Sequence, residues 1–173
     1  MKNHTISILL ENKFGAFDRV ATMFSAKGFR LKSITIGETE VKDLARMTIV
    51  TAGDEQVVDQ VVKQLNRLVD TVKVRNLTEV DSVSRELALV KVNYQKHTLD
   101  VIKNICDIFR GMIVDINAKS MMIELTGPPE KINAAVNVLM PYGIVEMARS
   151  GTVALRRGEQ LKQLKEDLDT ITV

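Results

Sequence analysis

The chain has 173 residues, 45% of them hydrophobic and 27% charged, with 24 Lys+Arg against 22 Asp+Glu. Enough apolar side chain is present to offset the ordering entropy of folding, which excludes a disordered chain, and a net charge of +2 gives no electrostatic footprint for nucleic acid. One Cys, two His and no Trp leave neither a disulfide framework nor a Cys/His zinc site, and little on which bases could stack.

Along the chain, His4–Glu11 alternates with Ile6, Ile8 and Leu10 on one face, which predicts a strand. Its start reads as strand and not as the apolar core of a secretory leader, and no run reaches the roughly 20 apolar residues of a membrane span. Asn12–Gly15 interrupts the pattern. Phe17, Val20, Ala21 and Phe24 then fall at helical spacing, and Gly28 suits a helix C-terminal cap. Arg30–Gly37 predicts a second strand, Glu38–Asp43 a charged turn and Arg46–Thr51 a third strand. Asp54 is a good helix N-cap ahead of a stripe of Val57, Val58, Val61, Val62 and Leu65. Val69–Val74 closes the unit as a fourth strand.

The same order then returns. Glu86–Val92 reads as a strand, Leu99, Ile102, Cys106 and Phe109 as a helical stripe, and Met112–Ile116 and Met121–Leu125 as strands. Pro128 and Pro129 open a helix carrying Ile132, Ala135, Val136 and Leu139, and Ile144–Ala148 ends the unit. Met47-Thr48-Ile49 with Gly53 matches Met121-Met122-Ile123 with Gly127, whereas Phe24 and Phe109 match at a longer offset. The second copy has therefore lost residues between its second and third strands, where a hairpin loop shortens at small cost. The expected fold class is α+β, with two ferredoxin-like βαββαβ modules in tandem. The expected domains are 1–78, a linker over 79–84, a second module over 85–157, and a charged tail helix over 158–173 with Leu161, Leu164 and Leu168 on one side.

No Gly-x-Ser-x-Gly, His-Glu-x-x-His, Walker or dinucleotide-binding pattern occurs. His4 and His97 read as surface histidines, and Cys106 as a small apolar core residue that suits a reducing cytoplasm. The informative segment is Glu11-Asn12-Lys13-Phe14-Gly15-Ala16-Phe17, which joins a strand to a helix N-terminus. Free N–H groups and the helix dipole there attract a carboxylate. Gly15 lets the backbone approach a ligand, and the Asn12 amide both donates and accepts, as the ammonium and carboxylate of an amino acid require. A plain βα turn is the competing reading, since Asn and Gly are common turn residues.

Several runs carry a resemblance. Thr5–Lys13, Gly15, Arg19-Val20-Ala21, Phe24-Ser25 and Gly28-Phe29 resemble the N-terminal ACT domain of the small regulatory subunits of acetolactate synthase (acetohydroxyacid synthase). Ser33–Gly37, Arg46–Thr51, Gly53-Asp54-Glu55, Lys63–Asn66 and Leu68-Val69-Asp70 extend it. So do Arg85-Glu86-Leu87, Leu89-Val90-Lys91, Ile108–Gly111, Leu125-Thr126-Gly127 and Ala148–Gly151. The resemblance implies a non-catalytic homodimer that activates a separate catalytic large subunit. That partner carries thiamine diphosphate, magnesium and FAD and makes acetolactate for valine, leucine and isoleucine synthesis. The resemblance also implies an ACT-like second module, no cofactor in this chain, no nucleic-acid or membrane partner, and feedback by valine or a related amino acid. Carried over by position, the effector residues are Asn12, Lys13, Phe14, Gly15, Ala16, Phe17, Arg30 and Leu31.

Gly28-Phe29-Arg30-Leu31-Lys32-Ser33 departs from the family's usual Gly-(Phe/Tyr)-Asn-Ile-Glu-Ser. Arg30 stands where a neutral Asn is usual, and three readings stay open: a bidentate partner for the ligand carboxylate, an obstruction, or a solvated surface charge. Phe14 stands where many members have Pro. The corresponding second-copy loop, Asn93–Thr98, has no Gly before its helix, so it reads as part of a packing or partner-contact module. Two other function classes share the architecture: a stand-alone tandem-ACT amino-acid sensor, and an RNA-binding module, for which the aromatic-rich strand motif is missing.

Overall fold

The computed structural model describes residues 2–158, which form two compact units, one of residues up to Val83 together with those from Thr152, the other Ser84–Gly151. In the first unit, β1 (Lys2–Glu11), α1 (Ala16–Lys27), β2 (Arg30–Glu38), β3 (Leu44–Gly53), α2 (Glu55–Leu65) and β4 (Thr71–Asn76) follow in order. The sheet is antiparallel with strand order β2-β3-β1-β4. The period-2 set Ile6, Ile8 and Leu10, with Met47 and Ile49 of β3, turns toward the helices and is excluded from solvent. Val20, Phe24, Val58, Val61 and Leu65 complete that core.

Helix ends follow their sequence signals. Asp54 Oδ1 accepts from Val57 N at 2.9 Å and caps α2. Gly28, at φ 67°, ends α1, where Phe29 N donates to Phe24 O at 3.1 Å and the two rings meet edge to face, 5.8 Å apart. The buried stripe of α1 differs from the expected one: it is Ala16, Val20, Met23 and Phe24, with Phe17 43% exposed. The buried set follows i, i+4, i+7, i+8 from Ala16, which puts Met23 in the core and Phe17 on the side facing solvent. His4 is a second correction. It lies in phase with Ile6, Ile8 and Leu10, is buried, and its Nε2 sits 3.3 Å from Gly53 O, so it is no surface histidine.

The second unit repeats the plan through β5 (Ser82–Asn93), α3 (Leu99–Ile108), β6 (Met112–Ile116), β7 (Ser120–Gly127), α4 (Pro129–Leu139), a 3-10 turn (Met140–Tyr142) and β8 (Ile144–Arg149). Its strand order, β6-β7-β5-β8, is that of the first sheet. Met121 and Ile123 occupy the buried places that Met47 and Ile49 hold on β3. β6 has 5 residues where β2 has 9, and the turn that follows spans 117–119 where the first unit has 39–43, so the shortening falls mainly in the second strand itself and less in the hairpin loop where it was expected. Cys106 is buried in this core, and burial pushes its thiol pKa up, with Asp107 adding to the shift.

Segment boundaries differ from a simple tandem. The run expected as linker is strand from Ser82 onward, and Leu77 is buried, its N–H donating to Thr5 O at 2.8 Å. The segment from Thr152, expected with the second module, groups with the first unit. Thr35 Oγ1 donates to Thr152 O at 2.8 Å, and β9 (Val153–Arg156) touches β1 and β3, with Ala154 buried. The tail helix expected over 158–173 lies, beyond Gly158, outside the described residues.

Candidate functional site

The loop between β1 and α1 is fixed from its backbone. Glu11 N donates to Asp70 O at 2.9 Å, Asn12 N to Asp43 O at 2.8 Å, and Ala16 N to Lys13 O at 3.1 Å. Gly15 takes φ 81° at the N-cap, a conformation that side chains with a Cβ rarely adopt, and no side chain caps α1. The first N–H groups of a helix have no intrahelical acceptor, so this end presents donors and a partial positive charge. Asn12 is exposed, and Phe14 is fully exposed on the loop. Lys13 reaches back to Glu11, Nζ to Oε2 2.8 Å, and that hydrogen bond raises the lysine pKa. The chemistry on offer is recognition of a small anion or zwitterion.

Two residues without an assigned role in the sequence reading stand behind the loop. Arg19, one turn into α1, donates from Nε to Asp70 Oδ2 at 2.5 Å, and its Nη1 lies 3.1 Å from where a Cβ on Gly15 would sit. Asp70 is 9% exposed at its side chain, and its pKa is held below the usual range mainly by the Arg19 hydrogen bond, against the opposing effect of burial. Both lie inside runs quoted for the resemblance. Nothing local pairs them, because they are 51 positions apart.

Arg30 and Leu31 are not brought to the loop within one chain. Arg30 pairs with Ala52, and Ala52 with Asn3, so Arg30 stands at the opposite end of the sheet from Glu11. From Asn3 to Glu11 a strand advances roughly 26 Å at about 3.3 Å per residue. Arg30 is exposed, and its carbonyl accepts from Thr51 Oγ1 at 2.9 Å.

The second copy's loop is occupied by its own contacts. Tyr94 OH donates to Asn117 O at 2.6 Å, and Gln95 N donates to Thr98 Oγ1 at 2.9 Å. The Arg85-Glu86-Leu87 and Arg149-Ser150-Gly151 runs form a structural clamp. Arg149 donates from Nε and Nη2 to the two Glu86 carboxylate oxygens at 2.6 and 2.7 Å, and from Nη1 to Asn133 Oδ1 at 2.8 Å. Ser150 Oγ accepts from Leu87 N at 3.0 Å. Glu86 is buried, so the bidentate geometry satisfies a carboxylate removed from water. Among the described residues, no three His, Cys, Asp or Glu side chains gather as a metal site, and no helix is long and apolar enough to cross a membrane.

The doubled βαββαβ plan, with a glycine-started helix behind β1, is the architecture of a tandem ACT-type protein. The model described as "AHAS small subunit-like ACT domain" matches residues 6–73, and that described as "Small subunit of acetolactate synthase" matches residues 85–158. The chain belongs to the acetolactate synthase small subunit family. It is 47% identical to the probable acetolactate synthase small subunit of Archaeoglobus fulgidus, over 91% of this chain and 98% of that one. It is 44% identical to the small subunit of Aquifex aeolicus, over 94% of this chain and 85% of the relative. A crystal structure of the small subunit from Thermotoga maritima, 37% identical, superposes with a TM-score of 0.82 and covers 92% of this chain and 100% of its own.

Proposed function

We propose that this chain is the regulatory subunit of acetolactate synthase. In this reading it raises the activity of a separate catalytic subunit, which holds the thiamine diphosphate, magnesium and FAD, and it makes that activity responsive to valine or a related branched-chain amino acid. A regulator of this kind acts only through unequal affinity of the effector for two states of the complex.

The register of the first sheet is the observation that carries the effector reading. β2 is an edge strand, and a second copy laid antiparallel along it, centred on Ile34, sets that copy's Arg30 opposite Glu38. Glu38 pairs with Ala45, and Ala45 with Leu10, which is the end of the sheet where the Asn12–Phe17 loop begins. A homodimer of this form unites the two halves of the candidate site. Asn12, the α1 N-terminus and Gly15 come from one protomer, and Arg30 and Leu31 from its partner. Arg30 then supplies a planar, bidentate partner for the ligand carboxylate.

Mixing the full chain with its catalytic subunit is expected to raise acetolactate formation, and valine to lower it again. No stimulation at saturating subunit overturns the regulatory reading. Arg30→Asn is expected to weaken valine binding at least several-fold by calorimetry. Tighter binding by the variant makes Arg30 an obstruction instead.

A further inference from the structure

We infer that the Arg19–Asp70 pair is a positioning device for the effector loop, holding the α1 N-terminus and Gly15 in the ligand-ready arrangement. The inference rests on the effector reading above and adds two residues that touch no ligand. The pair closes a ring of contacts around the loop. Asp70 accepts at its backbone carbonyl from Glu11 N, where the loop leaves β1, and at its carboxylate from Arg19 Nε, one turn after the loop ends. Arg19 N in turn donates to Gly15 O at 3.0 Å, and its guanidinium lies against the open side of Gly15, with Nη1 3.1 Å and Nη2 3.9 Å from the missing Cβ.

Each part of the ring has a physical reason. Asp70 is nearly buried, so its carboxylate needs a partner, and Arg19 supplies one through Nε alone, leaving the flat end of the guanidinium to back the glycine. Gly15 therefore meets two requirements at once: a left-handed φ, and room for the arginine. With the pair broken, the loop keeps its sequence and its donors. It loses the brace that ties the first turn of α1 to the start of β4. The donors of an anion seat act strongly when they are fixed before the ligand arrives.

The test uses full-length chain, L-valine as the probe, and the variants Arg19→Gln, Asp70→Asn and Arg19→Lys. Glu86→Gln, which loosens the clamp of the second unit, is the control for general destabilisation. Two readouts are taken: valine affinity by calorimetry, and amide hydrogen exchange over residues 11–19 without ligand. Expected are loop exchange at least tenfold faster and valine affinity at least tenfold weaker in Arg19→Gln and Asp70→Asn. Arg19→Lys should recover part of both, and Glu86→Gln should change neither. Wild-type loop exchange in Arg19→Gln and Asp70→Asn overturns the inference, whatever happens to affinity, because lost affinity over an unmoved loop makes Arg19 a direct ligand contact. Faster exchange with unchanged affinity also overturns it. If the wild type binds no valine, the effector reading fails by itself, and loop exchange still decides whether the pair orders the loop.

Discussion

Gly15 concentrates the constraints on the candidate site. At φ 81° any residue with a Cβ is strained, by about 1–2 kcal/mol for an L side chain in this region, and the new carbon also meets Arg19 Nη1. Gly15→Ala is expected to lower the melting temperature by about 2–8 °C in thermal denaturation. Gly15→Asp is expected to abolish valine binding as well, since its carboxylate takes the place of the ligand's at the helix N-terminus. Equal valine affinity in wild type and Gly15→Asp would remove the ligand from this loop. Asp70 gives a second residue-scale prediction. Its folded pKa is depressed, so its pairing adds stability above the ordinary aspartate value near 3.9 and loses it as pH falls from there through the folded value. The melting temperature of the wild type should exceed that of Asp70→Asn by a constant margin at pH 6–7, and the margin should shrink steadily as the pH falls below ~4. A margin that does not shrink at all between pH 6 and pH ~2.5 would assign the difference to something other than the Arg19 pair.

At the scale of elements, hydrophobic period made most of the fold legible. The sets Ile6, Ile8, Leu10 and Val58, Val61, Leu65 are buried as the alternation and the helical stripe require. Periodicity fails at edges and phases. β1 and β3 run past the predicted strands through Lys2, Asn3 and Gly53, because ladder hydrogen bonds continue where side chains carry no pattern. Of the expected α1 stripe, Val20 and Phe24 are buried, but Phe17 is exposed and Ala21 only half-buried, because the buried face is centred on the i, i+4, i+7, i+8 set Ala16, Val20, Met23 and Phe24. The strand–glycine–helix junction at Asn12–Phe17, on which the proposed site draws, was legible in the sequence. The Arg19–Asp70 brace was not, since an arginine on a helix and an aspartate in a turn are ordinary surface residues until a fold joins them. The edge strand β2 carries its own prediction. Ile36, 45% exposed on that edge, is an apolar contribution to the proposed pairing of two copies. A lysine there is the device by which natural edge strands refuse a neighbour. If the proposed dimer forms through this edge, Ile36→Lys is expected to convert it to a monomer in size-exclusion chromatography with light scattering, and to reduce valine binding with it. A dimer of unchanged mass would place the interface elsewhere.

At the scale of the whole molecule, duplication explains the two cores but not the path of the chain after Gly151. Each βαββαβ module covers one face of its sheet with helices and leaves the other for something else. In the first unit, Ser7 and Thr48 are buried although they point away from the helices, and the segment from Thr152 is placed with that unit, β9 touching β1 and β3. No local pattern in Thr152–Arg156 announces this, because four strand residues with a single buried position, Ala154, fit any sheet equally well. The segment therefore acts as a long-range element of the first module, fixed by Thr35 Oγ1 on Thr152 O and by the burial of Ala154. Ala154→Asp tests this, since a carboxylate forced into a site 4% exposed either remains charged without a partner or pulls β9 away. Hydrogen exchange is expected to accelerate in β1 and β3 while β6 and β7 keep wild-type protection, and the melting temperature should fall by several degrees. Acceleration confined to β6 and β7 would assign the segment to the second module. Wild-type protection throughout would mean that the first sheet is stable without it.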